Sequence, residues 1–230
     1  MTLDAIAQRG FTGNELKVIA MITMTIDHIG AILFPQVQLL RIIGRLALPI
    51  YAYMIAEGCR HTRNRARYFL RIAAMAALCQ VGYYIADRSL YQCILVTFSL
   101  SILVICAIEN VQKKRNPASA VLAVVTLGGT LFFCELLPML LPWTDFAVDY
   151  GFVGVILPAL VYFSQEKTRY LTAGLILLGI TNRGVQWWAL AAVPLLGMYN
   201  GQRGKRSIGP IFYWYYPIHL VVIYGIGLLI

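Results

Sequence analysis

The sequence predicts an all-α fold: a polytopic, integral membrane helical bundle of about nine membrane segments, two of them short, with the N-terminus cytoplasmic and the C-terminus outside. Three observations predict it. Of 230 residues, 60% are hydrophobic and 13% charged, whereas about a quarter of a soluble domain is charged, so the polar surface needed to cover a soluble fold is missing. The mean hydropathy is +0.71, and apolar runs near the ~20 residues that cross a ~30 Å hydrocarbon layer recur along the whole chain. The runs show no strand alternation, and in lipid only helices or closed barrels satisfy their own backbone.

In order, the runs are Glu15 to Phe34, Leu39 to Cys59, Tyr68 to Ala86, Leu90 to Glu109, Ser119 to Leu141 and Tyr150 to Ser164. Two shorter runs follow, Thr168 to Ile180 and Val185 to Tyr199, interrupted by Thr181-Asn182-Arg183-Gly184. They read equally as tilted crossings or as a re-entrant hairpin, and both return the chain to the same side. The final run is Ile211 to Ile230.

A cytoplasmic N-terminus places Arg60, Arg63, Arg65, Arg67 and Arg71, then Lys113, Lys114 and Arg115, then Lys167 and Arg169, then Arg203, Lys205 and Arg206 on the inner side. Arg41, Arg88 and Arg183 fall in outer connections, alongside Asp145 and Asp149. This is the positive-inside pattern. The net charge of +9 therefore reads as orientation in a lipid bilayer, and no nucleic acid partner is expected. The N-terminal residues include Asp4 and Arg9 with no apolar run before Leu16, so a cleaved signal peptide is not expected. No internal repeat or long linker divides the chain, which reads as a single domain over 1–230.

Ionisable side chains inside the runs cost at least ~2.5 kcal/mol each on insertion scales, so each calls for a partner or a wet cavity. On the first helix Lys17, Met21, Met24 and His28 share one face, with a rise of about 16 Å from Lys17 to His28. That matches an extended pantetheine arm: a phosphate held near Lys17 would deliver a thioester to His28. The alternative is that Lys17 snorkels at the interface and His28 is an ordinary bundle histidine. Asp27 and His28, as helix neighbours, point about 100° apart and must serve different partners. Arg45 lies about 9 Å below the outer surface on the second helix and Asp27 about 10 Å on the first, which makes them a natural ion pair. That pair can equally be a purely structural register lock.

His219 lies about 12 Å into the last helix, with Tyr216 on the same face and the other aromatics forming an interface belt. Glu57 stands near the inner end of the second helix, where neighbouring arginines can pair with it. Glu135 and Asp149 fall near the outer surface, either to contact an acceptor or simply as solvated rim residues. The loop from Arg60 through His61 and Arg63 to Arg67, continued by Arg71, suits phosphates of a coenzyme or anionic lipid alike. The five cysteines are scattered without a Cys-x-x-Cys pair, so neither a disulfide frame nor a metal site is expected. No dinucleotide, Walker, zinc-protease or serine-hydrolase motif occurs.

Several segments together resemble the TraX family of polytopic membrane proteins, the family of the enzyme that N-acetylates conjugative pilin. They are Leu16 to Ala20, Met24-Thr25-Ile26-Asp27-His28-Ile29-Gly30, Ile43-Gly44-Arg45-Leu46-Ala47-Leu48-Pro49-Ile50-Tyr51 and Glu57-Gly58 with His61 to Asn64. Asp149-Tyr150-Gly151, Tyr199-Asn200-Gly201 with Arg203-Gly204, and Tyr215-Tyr216-Pro217-Ile218-His219-Leu220 complete the series. The resemblance implies an acyltransferase of the bacterial cytoplasmic membrane. It would draw acetyl-CoA from the cytoplasm, with no metal, and act on an amine of pilin or another protein, or on a hydroxyl or amine of a surface glycan, at the outer face. The wider transmembrane acyltransferases are similar in placing a basic residue, usually arginine, and a histidine on the first helix at the spacing of Lys17 and His28; lysine here forgoes bidentate phosphate recognition.

On that resemblance His28 is the general base or the transient acyl carrier, with Asp27 and Arg45 fixing the geometry and His219 completing the catalytic set. Lys17, His61, Arg63 and Arg71 would hold the coenzyme, and Glu57, Tyr216 and Asp149 would contact the acceptor. Two rival readings stand beside it. One is a proton-coupled transporter relaying through Asp27, His28 and His219; the other is a non-catalytic assembly factor of a surface appendage.

Overall fold

The computed structural model describes residues 9–204 and 209–229; Asp4, Lys205, Arg206 and Ile230 lie outside them. The described residues are helical, apart from connections and two isolated bridges, Phe11 with Tyr199 and Gln92 with Val148. Among them, Gln38–His61, Arg65–Asp87, Ile94–Lys114 and Pro117–Leu140 are long and apolar enough to cross a membrane, and Gly151–Phe163, Gly184–Gly197 and Ile211–Gly227 are shorter apolar helices. The chain is an integral membrane protein by this count and composition. It forms two compact units, Met1–Met54 with Thr168–Ile230, and Ile55–Lys167.

The first unit opens with α1 (Gly13–Ile32), started by a capping box. The Thr12 backbone N–H donates to Glu15 Oε2 at 2.8 Å, and the Thr12 hydroxyl oxygen accepts from the Glu15 N–H, so two of the helix's orphan donors are satisfied reciprocally. After a short turn, α2 (Gln38–Gly44) packs back on α1. Two glycines permit the close approach: a Cβ on Gly30 would lie 2.6 Å from Leu40 Cβ, and one on Gly44 would collide with the Asp27 carboxylate. The rod then continues as α3 (Ala47–His61).

The two short runs become α9 (Lys167–Asn182), a 3-10 segment Gly184–Ala191 and α10 (Ala192–Gly197). The break falls where Arg183 and Gly184 both take positive φ, 50° and 56°, a conformation no right-handed helix can run through. At about 1.5 Å per α residue and 2.0 Å per 3-10 residue, each of the two pieces spans about 25 Å, short of the ~30 Å layer. The last helix, α11 (Gly209–Gly227), packs on α1.

The second unit is built around α5 (Ile94–Lys114), which packs against α4 (Arg65–Asp87), α6 (Pro117–Leu131) and α8 (Gly151–Phe163). Phe98, Ile102 and Ile105 of α5 and Val155 and Leu157 of α8 are fully buried. Between apolar helices in lipid the hydrophobic drive is absent, and close packing of small residues takes over. Thr97, Ser99 and Ser101 supply it on α5: all three are buried, and their hydroxyls donate to the carbonyls of Asp149, Leu95 and Thr97.

Asn64 caps α4 and Asn116 caps α6, each accepting a backbone N–H through its side-chain oxygen. A π-helical turn, Phe132–Leu136, precedes α7 (Leu137–Leu140). Its cause is Pro138, whose missing N–H and ring cannot serve the Cys134 carbonyl four residues back. In the connection before α8 the Ser89 hydroxyl and the Leu90 N–H both donate to Asp145, and these bonds hold its carboxyl below the usual aspartate range.

Candidate functional site

The polar residues of the first unit converge where α1 meets α11 and α2. On α1, His28 and Asp27 point to different partners, as helix neighbours must. His28 Nδ1 lies 2.9 Å from the Met24 carbonyl and 3.1 Å from His219 Nε2, while His219 Nδ1 lies 2.9 Å from the Tyr215 carbonyl. A carbonyl only accepts, so both histidines carry their proton on Nδ1. His219 Nε2 is then an acceptor for the His28 Nδ1–H, which is shared between it and Met24. His28 Nε2 keeps its lone pair and no described residue donates to it.

Aromatic rings wall this pair. Tyr215 stacks on His219 with centroids 5.2 Å apart and planes at 10°, and Tyr216 stands edge-on to both histidines at 6.2 and 5.4 Å. The Thr25 hydroxyl donates to the Met21 carbonyl at 2.9 Å, so at 2.6 Å it accepts from the Tyr215 hydroxyl. Tyr215 and Thr25 were not among the residues expected from sequence. Tyr215 reads as part of an interface belt, although Thr25 stands three residues before His28 and so shares its face.

Asp27 faces α2. Its Oδ1 accepts from Arg45 at 2.5 Å and its Oδ2 from Arg41 at 2.7 Å, and Arg41 also reaches the Asp27 carbonyl at 3.0 Å. Placing Arg41 in an outer connection is thus corrected: it lies inside α2, one turn before Arg45, where the two guanidiniums grip opposite oxygens of one carboxylate. Arg45 also donates to Gln186 Oε1 at 3.2 Å from the 3-10 segment. Gln186 is buried, and its Nε2 has no hydrogen-bond partner. An orphaned buried donor costs about 1–3 kcal/mol. Nothing in the apolar run Val185 to Tyr199 singled this glutamine out.

Lys17, eleven residues before His28 on the unbroken α1, puts its ammonium 5.1 Å over the Phe212 ring, within reach of the Arg203 charge. The loop carrying Arg203 is laced to the start of α1: the N–H groups of Phe11, Gly13 and Asn14 donate to the carbonyls of Met198, Gln202 and Arg203 at 2.8, 2.8 and 3.0 Å. In the sequence Arg203 reads as an inner-side charge and as part of the family-like Arg203-Gly204 pair.

The remaining candidates belong to the second unit. Glu57 is buried and accepts from Arg60 at 3.0 Å and Lys167 at 2.9 Å, with His61 3.4 Å from its other oxygen. Arg60 also donates to the carbonyls of Val161 and Tyr162, and Arg65 pairs with Glu109 and Tyr162. Those two arginines are structural, whereas His61, Arg63 and Arg71 are exposed. Asp149 accepts from the Tyr91 hydroxyl at 2.8 Å.

The family described as TraX protein matches residues 12–227 of the chain. The chain belongs to the TraX family. A relative in Dichelobacter nodosus, described as "Probable fimbrial assembly protein FimC, serogroup H1", is 26% identical to this TraX-family chain over 250 residues, covering 93% of it and 94% of that protein. An uncharacterized protein of Rickettsia prowazekii (strain Madrid E) is 53% identical over 38 residues, 16% of the TraX-family chain and 15% of that protein. No solved structure matches.

Proposed function

We propose that this TraX-family protein is an acyltransferase of the bacterial cytoplasmic membrane, with its N-terminus inside. It moves an acetyl group from cytoplasmic acetyl-CoA to an amine of pilin or another peptide, or to a hydroxyl or amine of a surface molecule, at the outer face. The observation that carries the reading is the lone pair on His28 Nε2, left open because Nδ1 is spent on Met24 and His219. An imidazole oriented by its second nitrogen is the arrangement general-base catalysis requires.

In the transfer, Nε2 takes the proton from the acceptor N–H or O–H as that atom bonds to the thioester carbonyl carbon. The C–S bond breaks, and the departing thiolate takes the proton back from His28. His219 accepts from His28 Nδ1–H throughout and so stabilises the imidazolium as it forms. Arg45 supports charge on the thioester oxygen through the field of the Asp27 cluster. Lys17 and Arg203 attract the coenzyme phosphates, about 16 Å along α1 from His28. Arg63 and Arg71 offer an exposed phosphate-attracting surface on their own unit.

Purified protein incubated with labelled acetyl-CoA and a pilin-like peptide should consume thioester and label the peptide. His28→Ala should abolish transfer while the variant remains folded by circular dichroism; full activity in it rejects the assignment. The description of the Dichelobacter relative as a probable fimbrial assembly protein favours one second reading, a fimbrial assembly factor without catalysis, which predicts no thioester loss in the wild type.

A further inference from the structure

With both rings neutral, the protons of the histidine pair can be placed in two ways, and one of them leaves a base. A single proton lies in the 3.1 Å bond between His28 Nδ1 and His219 Nε2. When His28 supplies it, His28 Nε2 is bare. When His219 supplies it from Nε2, His28 carries its own proton on Nε2 and the base is lost. The second placement also aims the bare Nδ1 of each ring at a carbonyl 2.9 Å away, Met24 for His28 and Tyr215 for His219, with no hydrogen between. The productive placement therefore holds only while both imidazole planes keep those carbonyls in line.

Tyr215 sets the plane of His219 twice. Its carbonyl takes the Nδ1–H, and its ring lies flat on the imidazole, centroids 5.2 Å apart and planes at 10°. A stacked ring that is free to turn moves with its neighbour, so the stack fixes a plane only when the tyrosine is itself anchored. The anchor is Thr25, whose oxygen accepts from the Tyr215 hydroxyl at 2.6 Å while its own hydrogen goes to the Met21 carbonyl. Thr25 stands three residues before His28 on α1, so the tie runs from the helix that carries the base to the helix that carries its partner.

We propose that Tyr215 and Thr25 are positioning residues of the histidine pair: the bond between their hydroxyls holds the Tyr215 ring against His219, and the plane so fixed selects the tautomers that leave His28 Nε2 open. The effect on rate rests on the acyltransferase reading; the effect on the ring protons rests on the geometry alone.

The chain has three histidines, and His61 is exposed, an internal reference. Nitrogen-15 spectra of the full chain labelled at histidine, in detergent at pH about 8.5 and so above the ordinary histidine pKa of about 6.5, separate protonated from bare ring nitrogens. His28→Ala and His219→Ala assign the signals. In the wild type Nδ1 of both His28 and His219 should be protonated. Tyr215→Phe and Thr25→Val should each mix the tautomers and lower kcat about ten-fold, out of the roughly 10²–10⁴ that a positioned base contributes, with KM for acetyl-CoA unchanged. Thr25→Ser keeps the acceptor and should match the wild type, and Tyr215→Phe combined with Thr25→Val should be no worse than either alone.

The proposal is overturned if the wild type protonates Nε2 of either histidine, if Tyr215→Phe or Thr25→Val keeps the wild-type tautomers, or if Thr25→Ser loses as much as Thr25→Val. Losses that multiply in the double variant, or mixed tautomers at full kcat, overturn it as well. Should Tyr215→Phe fail to fold, the two Thr25 variants decide. A wild type that consumes no thioester rejects the enzyme reading, and the spectra then decide the positioning by themselves.

Discussion

Asp27 is the residue on which the first unit's polar interior turns, because its carboxylate pairs with two guanidiniums, those of Arg41 and Arg45. Exchanging it for Asn removes the carboxylate that the buried Arg45 and Arg41 both hold, a loss of about 3–5 kcal/mol. Arg45→Met should cost less than that, since Arg41 still neutralises Asp27, and Arg41→Met should cost about 1 kcal/mol or less because that side chain is one-third exposed. Denaturant unfolding of the three purified variants ranks them; an Arg41 loss as large as that of Asp27 would contradict the burial argument. The sequence made the Asp27 to Arg45 contact legible because depth along two antiparallel helices can be counted in residues. It hid Arg41 because hydropathy starts the second run near Leu39, leaving Arg41 at its edge, although its four-residue spacing to Arg45 is the signal that joins them. Gln186 is neutral and set between Val185 and Trp187, so charge and hydropathy pass over it.

Among the elements, the α1 and α2 pair depends on surfaces with no side chain. Gly44→Ala forces a methyl group into the Asp27 carboxylate, and such overpacking costs about 1–3 kcal/mol. Gly128→Ala on α6 meets nothing within 4 Å and should be neutral or stabilising by about 0.5–1 kcal/mol, the usual gain of alanine over glycine within a helix. Thermal unfolding of the two variants side by side separates steric from propensity effects; equal shifts would rule out the collision. Run lengths gave the long helices nearly to their ends, since hydropathy reports how much chain is apolar. It does not report which carbonyl a given N–H reaches. For that reason the π-helical turn before Pro138 and the 3-10 form of Gly184–Ala191 were not visible, whereas the Arg183 and Gly184 break was, through its polar and glycine residues.

At the scale of the whole molecule, the second unit separates its charges by end. Arg60, Arg65, Glu109 and the carbonyls of Val161 and Tyr162 are tied together at one end of its helices, near Arg63 and Lys113 to Arg115 in the chain. At the other end the 88–92 connection is joined to 145–149 by Gln92 N–H to Ala147 and Asp149 N–H to Gln92, with Asp145 and Asp149 among its residues. Under the proposed orientation, a single cysteine at Arg63 should react with membrane-impermeant maleimide only after the membrane is opened, and one at Thr144 should react in intact cells. The reverse pattern would invert the topology.

The hydrogen bond between His28 and His219 joins residues 191 apart in the chain, and the unit containing them is interrupted by the whole of the other. A ribosome adding about 5–20 residues per second takes roughly 10–40 s to bridge that gap. For that interval the imidazole of the opening helix lacks its later partner, while the intervening helices are made. The histidine pair therefore closes last, when α11 arrives, and a nascent chain stopped short of α11 lacks it.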